Sequence, residues 1–286
     1  MAAPLSWCHL DGKLLPVEEA RISPFDRSFL FGDGIYEVMP VYGGRLFRPE
    51  LHFERLARSA TALKLTNPHP HAGWQSLLEE LISANGGGDQ YIYLHLSRGA
   101  EEGRNHAPLP SVPPLVMAWC APWPAPAEAT LRHGLACITA PDPRWARCDI
   151  KSVALLANVL LRQQAIDAGA SEAILLRDGE LTEGSASTVH VVRDGVLLTP
   201  PDSQRILPGT TRRVVEEIAD RLQIPRRATR IEEPTLRAAD EIWLGSATRE
   251  VQPVTLLDGK PVGTGKPGPL WRRVYDAFQA LKHAAT

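Results

Sequence analysis

A proline-rich segment near the middle of the chain, APWPAPAEATLRHG at 121–134, places the strongest constraint on how the chain can fold. It has neither the period of an amphipathic helix nor the alternation of a half-buried strand, and its prolines lack backbone donors. Such a segment is typical of a linker between domains. The 286 residues suffice for two domains of modest size. The sequence therefore predicts an N-terminal domain of residues 1–122 and a C-terminal domain of residues 123–286.

The N-terminal half predicts strands and helices in alternation. HLDGKLLP and IYEVMPVYGGRLF each predict two strands joined by a glycine-containing turn. PELHFERLARSATALKL predicts a helix, whose apolar stripe consists of Phe53, Leu56, Ala60 and Leu63. WQSLLEELISANGGG predicts a second helix that ends at the glycines. YIYLHLSRG and PLVMAWCAP predict two further strands.

The C-terminal half has the same mixed character. ACITAP predicts a strand, and a helix is expected from Val153 with Ser152 as its N-cap. Three strands follow, SEAILLR, ELTEGSASTVHVV and GVLLTP, separated by Asp-Gly turns. TRRVVEEIADRL and PLWRRVYDAFQALKH predict amphipathic helices, the second with Leu270, Val274, Phe278 and Leu281 on one face. The predicted fold class is α/β in both domains.

Composition excludes several classes of protein. The net charge of −2 gives no electrostatic reason to expect a nucleic-acid partner. No apolar run is long enough for a membrane span, and the N-terminus lacks the pattern of a secretory signal. The cysteines are scattered, which favours a reducing, cytoplasmic compartment over a disulfide framework. No H-E-x-x-H and no Cys/His pair at ligand spacing occurs, so no metal is predicted.

Lys151, in RCDIKSVALL, lies directly before the predicted helix start. The positive end of the helix dipole, together with burial among Val153, Leu155 and Leu156, would favour its neutral amine. A neutral lysine amine can form a Schiff base with an aldehyde. The alternative is a surface lysine whose stem lies along apolar side chains.

Three loops rich in Gly, Ser and Thr accompany this lysine: TEGSAS at 182–187, PGTTR at 208–212 and GSATRE at 245–250. PGTT opens a predicted helix, where free backbone N–H groups and the helix dipole bind anions. Each loop alone is typical of an ordinary turn. Three in one domain, together with Lys151, indicate a phosphorylated aldehyde cofactor. A carboxylate at Glu183 would hold a pyridine nitrogen protonated; the alternative is a solvated turn residue.

Seven motifs in fixed order carry a resemblance to a known family. They are FGDGIYEV at 31–38, ERLARSA at 54–60, RNH at 104–106, RCDIKS at 147–152, LTEGSAS at 181–187, ILPGTTR at 206–212 and GSATREVQPV at 245–254. The chain resembles the class IV pyridoxal-phosphate-dependent aminotransferases, and among them most closely the D-amino-acid transaminases. The resemblance implies the two-domain class IV fold (fold type IV), with a smaller N-terminal α/β domain. The larger C-terminal domain would carry a pseudo-barrel sheet and bind pyridoxal 5'-phosphate.

The resemblance also implies a role for each matching residue. Lys151 would be the Schiff-base lysine and proton shuttle, and Glu183 would pair with the pyridine nitrogen. Leu207 would pack against the cofactor ring. The phosphate would be held by Arg55, Ser187, Thr210 and Thr211 and by the backbone around Ala247 and Thr248. Tyr36 would lie near the lysine and the substrate. Arg104 and His106 would bind the substrate carboxylate, reaching in from the neighbouring subunit of a homodimer.

The residue pattern alone is silent at some of these positions. Arg55 lies off the apolar stripe of its helix, so the pattern predicts a solvated side chain. Arg104 and His106 are two residues apart, so both would face the same way in an extended chain. Three departures from the family pattern bear on the substrate and the phosphate: Ala186 where a serine is common, Thr188 where an asparagine is common, and a loop RGAEEGR that is one residue longer.

The sequence therefore predicts an enzyme that transfers an amino group from a D-amino acid, of the D-alanine or D-glutamate type, to a 2-oxo acid by a ping-pong mechanism. Three alternatives use the same scaffold: a branched-chain L-amino-acid transaminase, an (R)-amine transaminase and an aminodeoxychorismate lyase. A non-catalytic cofactor-binding protein is the alternative from another class. The presence of both Lys151 and Glu183 argues against it.

Overall fold

The structure of the protein, a computed structural model, describes residues 3–109, 112–123 and 125–284. The chain divides into two compact units. The first consists of Met1–Pro124, Ile150–Ala154 and Lys282–Thr286, and the second of Ala125–Asp149 and Leu155–Leu281. The short segment Ile150–Ala154 therefore places Lys151 in the first unit, although it follows the predicted linker in sequence.

The first unit is built on an antiparallel sheet. Its six strands are β1 (Trp7–Leu10), β2 (Lys13–Pro16), β3 (Gly34–Tyr42), β4 (Arg45–Leu46), β5 (Gln90–Ser97) and β6 (Leu115–Pro122), in the order β2-β1-β6-β5-β3-β4. The predicted Asp-Gly and Gly-Gly hairpins are confirmed as β1–β2 and β3–β4. Gly12, at φ +79°, has the left-handed backbone that such a tight turn requires.

Helices cover this sheet. They are α1 (Arg27–Phe31), α2 (Pro49–Ala62) and α3 (His71–Ala84), with a 3-10 turn at Val17–Glu19. The predicted stripe of α2 is confirmed, because Phe53, Leu56 and Ala60 are buried in one core with apolar side chains of β3 and β5. Burial of each large apolar side chain contributes about 1.5–3 kcal/mol. These contacts fix α2 against β3, the strand that carries Tyr36.

The second unit contains a mixed sheet of nine strands. They are β7 (Leu135–Pro141), β8 (Glu172–Arg177), β9 (Glu180–Gly184), β10 (Thr188–Arg193), β11 (Val196–Thr199), β12 (Arg226–Ala228), β13 (Glu241–Ser246), β14 (Glu250–Leu257) and β15 (Lys260–Pro261). Their order is β12-β11-β10-β13-β14-β7-β8-β9, and β15 pairs with β14. The helices are α4 (Glu128–His133), α5 (Leu156–Asp167), α6 (Thr210–Arg221), α7 (Glu233–Arg237) and α8 (Pro269–Ala284). β7 and β8 are parallel and are joined through α5, as a parallel pair requires.

Several sequence predictions are wrong in detail. ELTEGSASTVHVV forms two strands, β9 and β10, because the Gly184 N–H closes a tight turn on the Ser187 carbonyl at 2.7 Å. The central strands β13 and β14 were not predicted. The proline-rich segment contains a helix, α4. The buried face of α8 is formed by Trp271, Val274, Tyr275 and Phe278 rather than by the predicted leucines. Among the described residues, no helix has the length and apolar character needed to cross a membrane.

Candidate active site

Lys151 is positioned by strand pairing and not by a helix. The Tyr36 N–H donates to the Lys151 carbonyl at 3.0 Å, and Ser152 pairs with Ile35 in an antiparallel bridge. The Lys151 N–H donates to Ser59 Oγ of α2 at 3.3 Å. The predicted helix start at Val153 with Ser152 as N-cap is wrong, because α5 begins at Leu156. The expected burial is wrong as well, since Leu156 is 73% exposed.

The Lys151 side chain lies over an aromatic ring. Its Nζ atom is 4.2 Å from the centre of the Tyr36 ring, and Tyr36 in turn stacks on Tyr93 at 5.5 Å between ring centres. Tyr93 and His95 Nδ1 are hydrogen-bonded at 3.1 Å. Burial, with a smaller effect from Tyr36, raises the pKa of Tyr93 to about 12, so this phenol stays protonated at neutral pH. The structure thus brings together Lys151 and Tyr36, the two residues that the family resemblance places side by side.

Arg55 is buried, contrary to the prediction from its helix pattern. Its Nε and Nη2 atoms donate to the two carboxylate oxygens of Glu37, in β3, at 2.8 and 2.7 Å. His52 Nδ1 lies 2.7 Å from Glu37 Oε2. Burial acts to raise the pKa of Glu37, but Arg55 and then His52 outweigh it and lower that pKa to about 2. An ionised carboxylate only accepts hydrogen bonds, so His52 Nδ1 must be the donor.

Glu183 lies in the second unit, in β9, and is not a solvated turn residue. Its Oε1 forms a short ion pair with Arg144 Nη1, and its Oε2 accepts the Leu207 N–H at 3.0 Å. Burial raises the pKa of Glu183, while Arg144 and the Leu207 N–H oppose that rise. Arg144 is fixed by Asp142, which accepts from its Nε and Nη2 at 2.9 and 2.8 Å. Leu207 is therefore adjacent to the carboxylate that the resemblance assigns to the pyridine nitrogen.

The three Gly/Ser/Thr loops lie together in the second unit. Thr188, directly after the first loop, pairs with Gly245 of the third. Gly209 approaches Thr188 so closely that a Cβ on this glycine would lie 2.6 Å from the Thr188 hydroxyl. Thr210 and Thr211 open α6, which has no side-chain N-cap. An uncapped helix start beside two small-residue loops leaves backbone N–H groups for an anion.

A buried carboxylate fixes the first of these loops. Glu172 Oε1 accepts the Ser187 hydroxyl at 2.7 Å and the Ala186 N–H at 2.8 Å, and its Oε2 pairs with Arg249 Nη2 at 2.9 Å. The structure therefore gives Ser187 a partner other than the predicted phosphate, because its single proton is donated to Glu172. Ser185 Oγ is buried and has no hydrogen-bond partner among the described residues. Ala247 and Thr248 lie half-buried in the turn between β13 and β14.

Arg104 and His106 are both exposed and both approach one aromatic ring in the first unit. The Arg104 guanidinium carbon is 5.2 Å from the centre of the Phe31 ring, and the His106 ring centre is 5.3 Å from it. The structure thus holds these two side chains near each other, as the R-x-H spacing predicts. Glu101, in the longer loop between Arg98 and Arg104, connects this loop to the residues that follow it, because its Oε1 accepts the Leu109 N–H at 2.9 Å.

Sequence reasoning missed four residues that organise these groups: Glu37, His52, Arg144 and Glu172. The importance of Glu37 could have been predicted from the sequence, because a carboxylate inside an apolar strand needs a partner when it is buried. Arg144 follows Asp142 at a spacing that suits a local ion pair, but nothing local indicates Glu183 as its second partner. Among the residues that the structure describes, no group of His, Cys, Asp and Glu is arranged to hold a metal ion.

Comparisons with known proteins show which family this chain belongs to. The family model for amino-transferase class IV matches residues 34–257. A D-alanine aminotransferase of Staphylococcus epidermidis is 39% identical over 271 residues, covering 94% of this chain and 95% of that protein. A branched-chain amino acid aminotransferase of Escherichia coli has a TM-score of 0.93 at 26% identity, covering 99% of this chain and 96% of that one. A branched-chain amino acid aminotransferase of T.th., solved with pyridoxamine 5'-phosphate, has a TM-score of 0.90 at 29% identity, covering 98% of this chain and 95% of that one.

Proposed function

The chain belongs to the class IV aminotransferases, and we propose on this basis that it transfers an amino group from a D-amino acid to a 2-oxo acid in a ping-pong sequence. The enzyme depends on pyridoxal 5'-phosphate, the cofactor of this family. When bound, the cofactor supplies an electron sink for the substrate's Cα. The residues of this chain supply binding, orientation and proton transfer.

We propose that Lys151 binds the cofactor aldehyde and later moves the proton at the substrate's Cα. The observation that carries this role is the position of the Lys151 Nζ over the Tyr36 ring, with the lysine backbone docked on β3. Proton transfer needs a donor and acceptor held within hydrogen-bond reach, so a lysine fixed at both its N–H and its carbonyl suits the task. Arg55 is proposed to bind the phosphate, because Glu37 holds its guanidinium in one orientation.

Further residues proposed to bind the cofactor lie in the second unit. Phosphate oxygens accept hydrogen bonds, and the uncapped start of α6 supplies backbone donors at Thr210 and Thr211. Ser185 Oγ, buried without a protein partner among the described residues, is the kind of atom that a bound phosphate would satisfy. Glu183 is proposed to hold the pyridine nitrogen protonated, with Arg144 keeping the carboxylate in place.

The donor class rests on Arg104 and His106. Arg104 and His106 lie against the same aromatic ring, so their cationic or hydrogen-bond-donating side chains can bind one carboxylate. An amino acid has this carboxylate and a simple amine lacks it. The curated relative with 39% identity is a D-alanine aminotransferase, and that supports a D-amino acid as the donor. The similarity to branched-chain aminotransferases does not decide the donor, because one fold carries several specificities.

A donor panel tests this proposal. Wild type and Arg104→Ala are assayed with D-alanine, D-glutamate, L-leucine and a chiral amine without a carboxylate. Loss of a charge-assisted hydrogen bond of about 1.5–3 kcal/mol should lower kcat/KM for D-alanine by roughly one to two powers of ten. The amine should lose far less. L-leucine as the best donor, or unchanged D-alanine turnover in Arg104→Ala, would contradict the proposed donor class.

We further propose that the enzyme is a homodimer in which Arg104 and His106 serve the site of the partner. The second unit exposes apolar surface: Leu156, Val159 and Leu160 share one face of α5 and are 73%, 60% and 63% exposed. Apolar patches of this kind mark protein interfaces. Mixing inactive Lys151→Ala chains with impaired Arg104→Ala chains should restore one fully active site per heterodimer, so that D-alanine turnover exceeds that of Arg104→Ala alone. Absence of recovered activity, with subunit exchange confirmed, would count against a shared site.

The proposed compartment is the cytoplasm. Cys8, Cys120, Cys137 and Cys148 are all buried free thiols, as is usual in a reducing environment. Small amino acids and 2-oxo acids are the proposed partners besides the second subunit.

A further inference from the structure

Residues 98–109, here called the clamp loop, carry Arg104 and His106. The first residues of this loop are hydrogen-bonded to the start of α1. The Arg27 N–H donates to the Gly99 carbonyl at 2.9 Å, and Asp26 pairs with Ala100 in an antiparallel bridge. These contacts fix the start of the loop. They do not by themselves fix its tip, where Arg104 and His106 are exposed.

The Arg27 side chain reaches the tip. Its Nη1 donates to the Asn105 carbonyl at 2.7 Å, and its Nη2 donates to the His106 carbonyl at 3.0 Å. Nη1 also lies 3.2 Å from Glu101 Oε2, within the same loop. The Arg27 side chain is only 4% exposed, so these bonds are shielded from competing water. One buried guanidinium therefore binds two successive backbone carbonyls, those of Asn105 and His106.

Charge balance keeps Arg27 in this position. Its Nε donates to Asp33 Oδ2 at 2.9 Å, and Arg98 donates to the same carboxylate at 2.7 and 3.0 Å. Burial acts to raise the pKa of Asp33, but the hydrogen bonds from Arg98 and Arg27 outweigh it and lower that pKa. Two arginines thus face two carboxylates, Asp33 and Glu101. The fork of a guanidinium can serve both carboxylates and both carbonyls at once, which a lysine ammonium cannot.

The same helix supplies the ring beneath the clamp. Phe31 lies one turn after Arg27 in α1, and the Arg27 guanidinium carbon is 4.8 Å from the centre of its ring. Arg104 and His106 approach this ring as well. The position of both clamp side chains therefore depends on α1, through Arg27 at the backbone and Phe31 at the side chains.

We infer that Arg27 is a positioning residue for substrate binding: without touching the substrate, it holds the backbone of residues 105 and 106 so that Arg104 and His106 face the donor carboxylate. This inference rests on the proposed function, in which these two residues bind that carboxylate. It assigns to the clamp loop an internal support that the R-x-H motif does not contain.

Arg27→Lys in the holoenzyme tests the inference, because lysine keeps the charge and loses the fork. We expect KM for D-alanine to rise about tenfold, equivalent to about 1.4 kcal/mol, with kcat changed much less. The inhibition constant of D-lactate, which has the carboxylate but no amine, should rise by the same factor. Arg193→Lys, in the second unit, is the control. Its guanidinium also joins a backbone carbonyl, that of Ala238, to a carboxylate, that of Asp240, but it lies outside the clamp loop and its support, so its KM should change less than about twofold.

A double-mutant cycle separates positioning from general stability. In the Arg104→Ala background, Arg27→Lys should raise KM clearly less than it does in wild type, because only His106 is then left to be positioned. Fully additive effects would overturn the inference. If Arg27→Lys fails to fold, Glu101→Gln serves instead, since it removes a charge from the same support and should raise KM about threefold; an unchanged KM in that variant would also overturn the inference.

The proposed function fails separately. If Arg104→Ala alone leaves KM for D-alanine unchanged, the clamp is wrong and the inference falls with it. If Arg104→Ala raises KM and Arg27→Lys does not, only the positioning role is overturned.

Discussion

Glu37→Gln is the sharpest test of the buried network that holds Arg55. Glutamine keeps the size of the side chain but loses the charge, and its amide N–H₂ would face Arg55 Nη2 or His52 Nδ1, both of which are donors. Wild-type Glu37 accepts three hydrogen bonds, from Arg55 at 2.8 and 2.7 Å and from His52 at 2.7 Å. The substitution therefore removes the charge of Glu37 from beside a buried guanidinium.

The expected cost follows from the titration of Glu37. Its pKa falls from an ordinary value of 4.5 to about 2 on folding, and each pKa unit corresponds to about 1.4 kcal/mol. The free energy of unfolding should therefore drop by roughly 3 kcal/mol at pH 7, in line with the loss of one partner of a buried ion pair. His52→Gln is the control. It removes one hydrogen bond and keeps the ion pair, so it should cost about 1 kcal/mol.

The pH dependence distinguishes an ion pair from mere packing. A carboxylate whose folded-state pKa is depressed stabilises the protein fully above its unfolded pKa, and that stabilisation is lost as pH falls from 4.5 towards 2. The difference between wild type and Glu37→Gln should shrink by about 1 kcal/mol at pH 4 and by about 2 kcal/mol at pH 3. Urea denaturation of the holoenzyme, followed by tryptophan fluorescence, measures both. A difference below about 1 kcal/mol at pH 7, or one that does not change with pH, would refute the reasoning.

Three further outcomes are expected. Glu183→Gln should fold and bind cofactor but lose much of its rate, because a neutral amide would weaken the proposed hold on the pyridine nitrogen; near-normal single-turnover rates would contradict this. Gly184→Ala should weaken cofactor binding in a titration followed by absorbance, since its Cβ would overlap Ser187 Oγ and lie 2.5 Å from Glu172 Oε1; unchanged affinity would show that the loop can adjust. Leu160→Asp on the exposed face of α5 should shift the sedimentation of the proposed dimer to that of a monomer, and an unaltered dimer would place the interface elsewhere.

Local patterns determined much of the secondary structure from the sequence alone. The hairpins β1–β2 and β3–β4 follow from Asp-Gly and Gly-Gly turns between apolar runs, and α2, α3 and α6 follow from their periodicity or from a small-residue start. These features depend on neighbours a few residues apart, which is the range over which turn chemistry and helical period act. The order of the seven motifs identified the family. The alternation of apolar and polar residues did not predict β13 and β14, because strands that are buried on both faces show no such alternation.

Only the tertiary structure decided which charged groups meet. Lys151 is held by Ser59, 92 residues away, and the helix-start argument for its position was wrong. The helix pattern by itself predicted a solvated Arg55, but pairing with Glu37 makes its burial possible. Arg27 binds the His106 carbonyl across 79 residues. A buried charge must find its partner wherever the packed sheet and helices bring one, and no short-range pattern in the sequence records that partner.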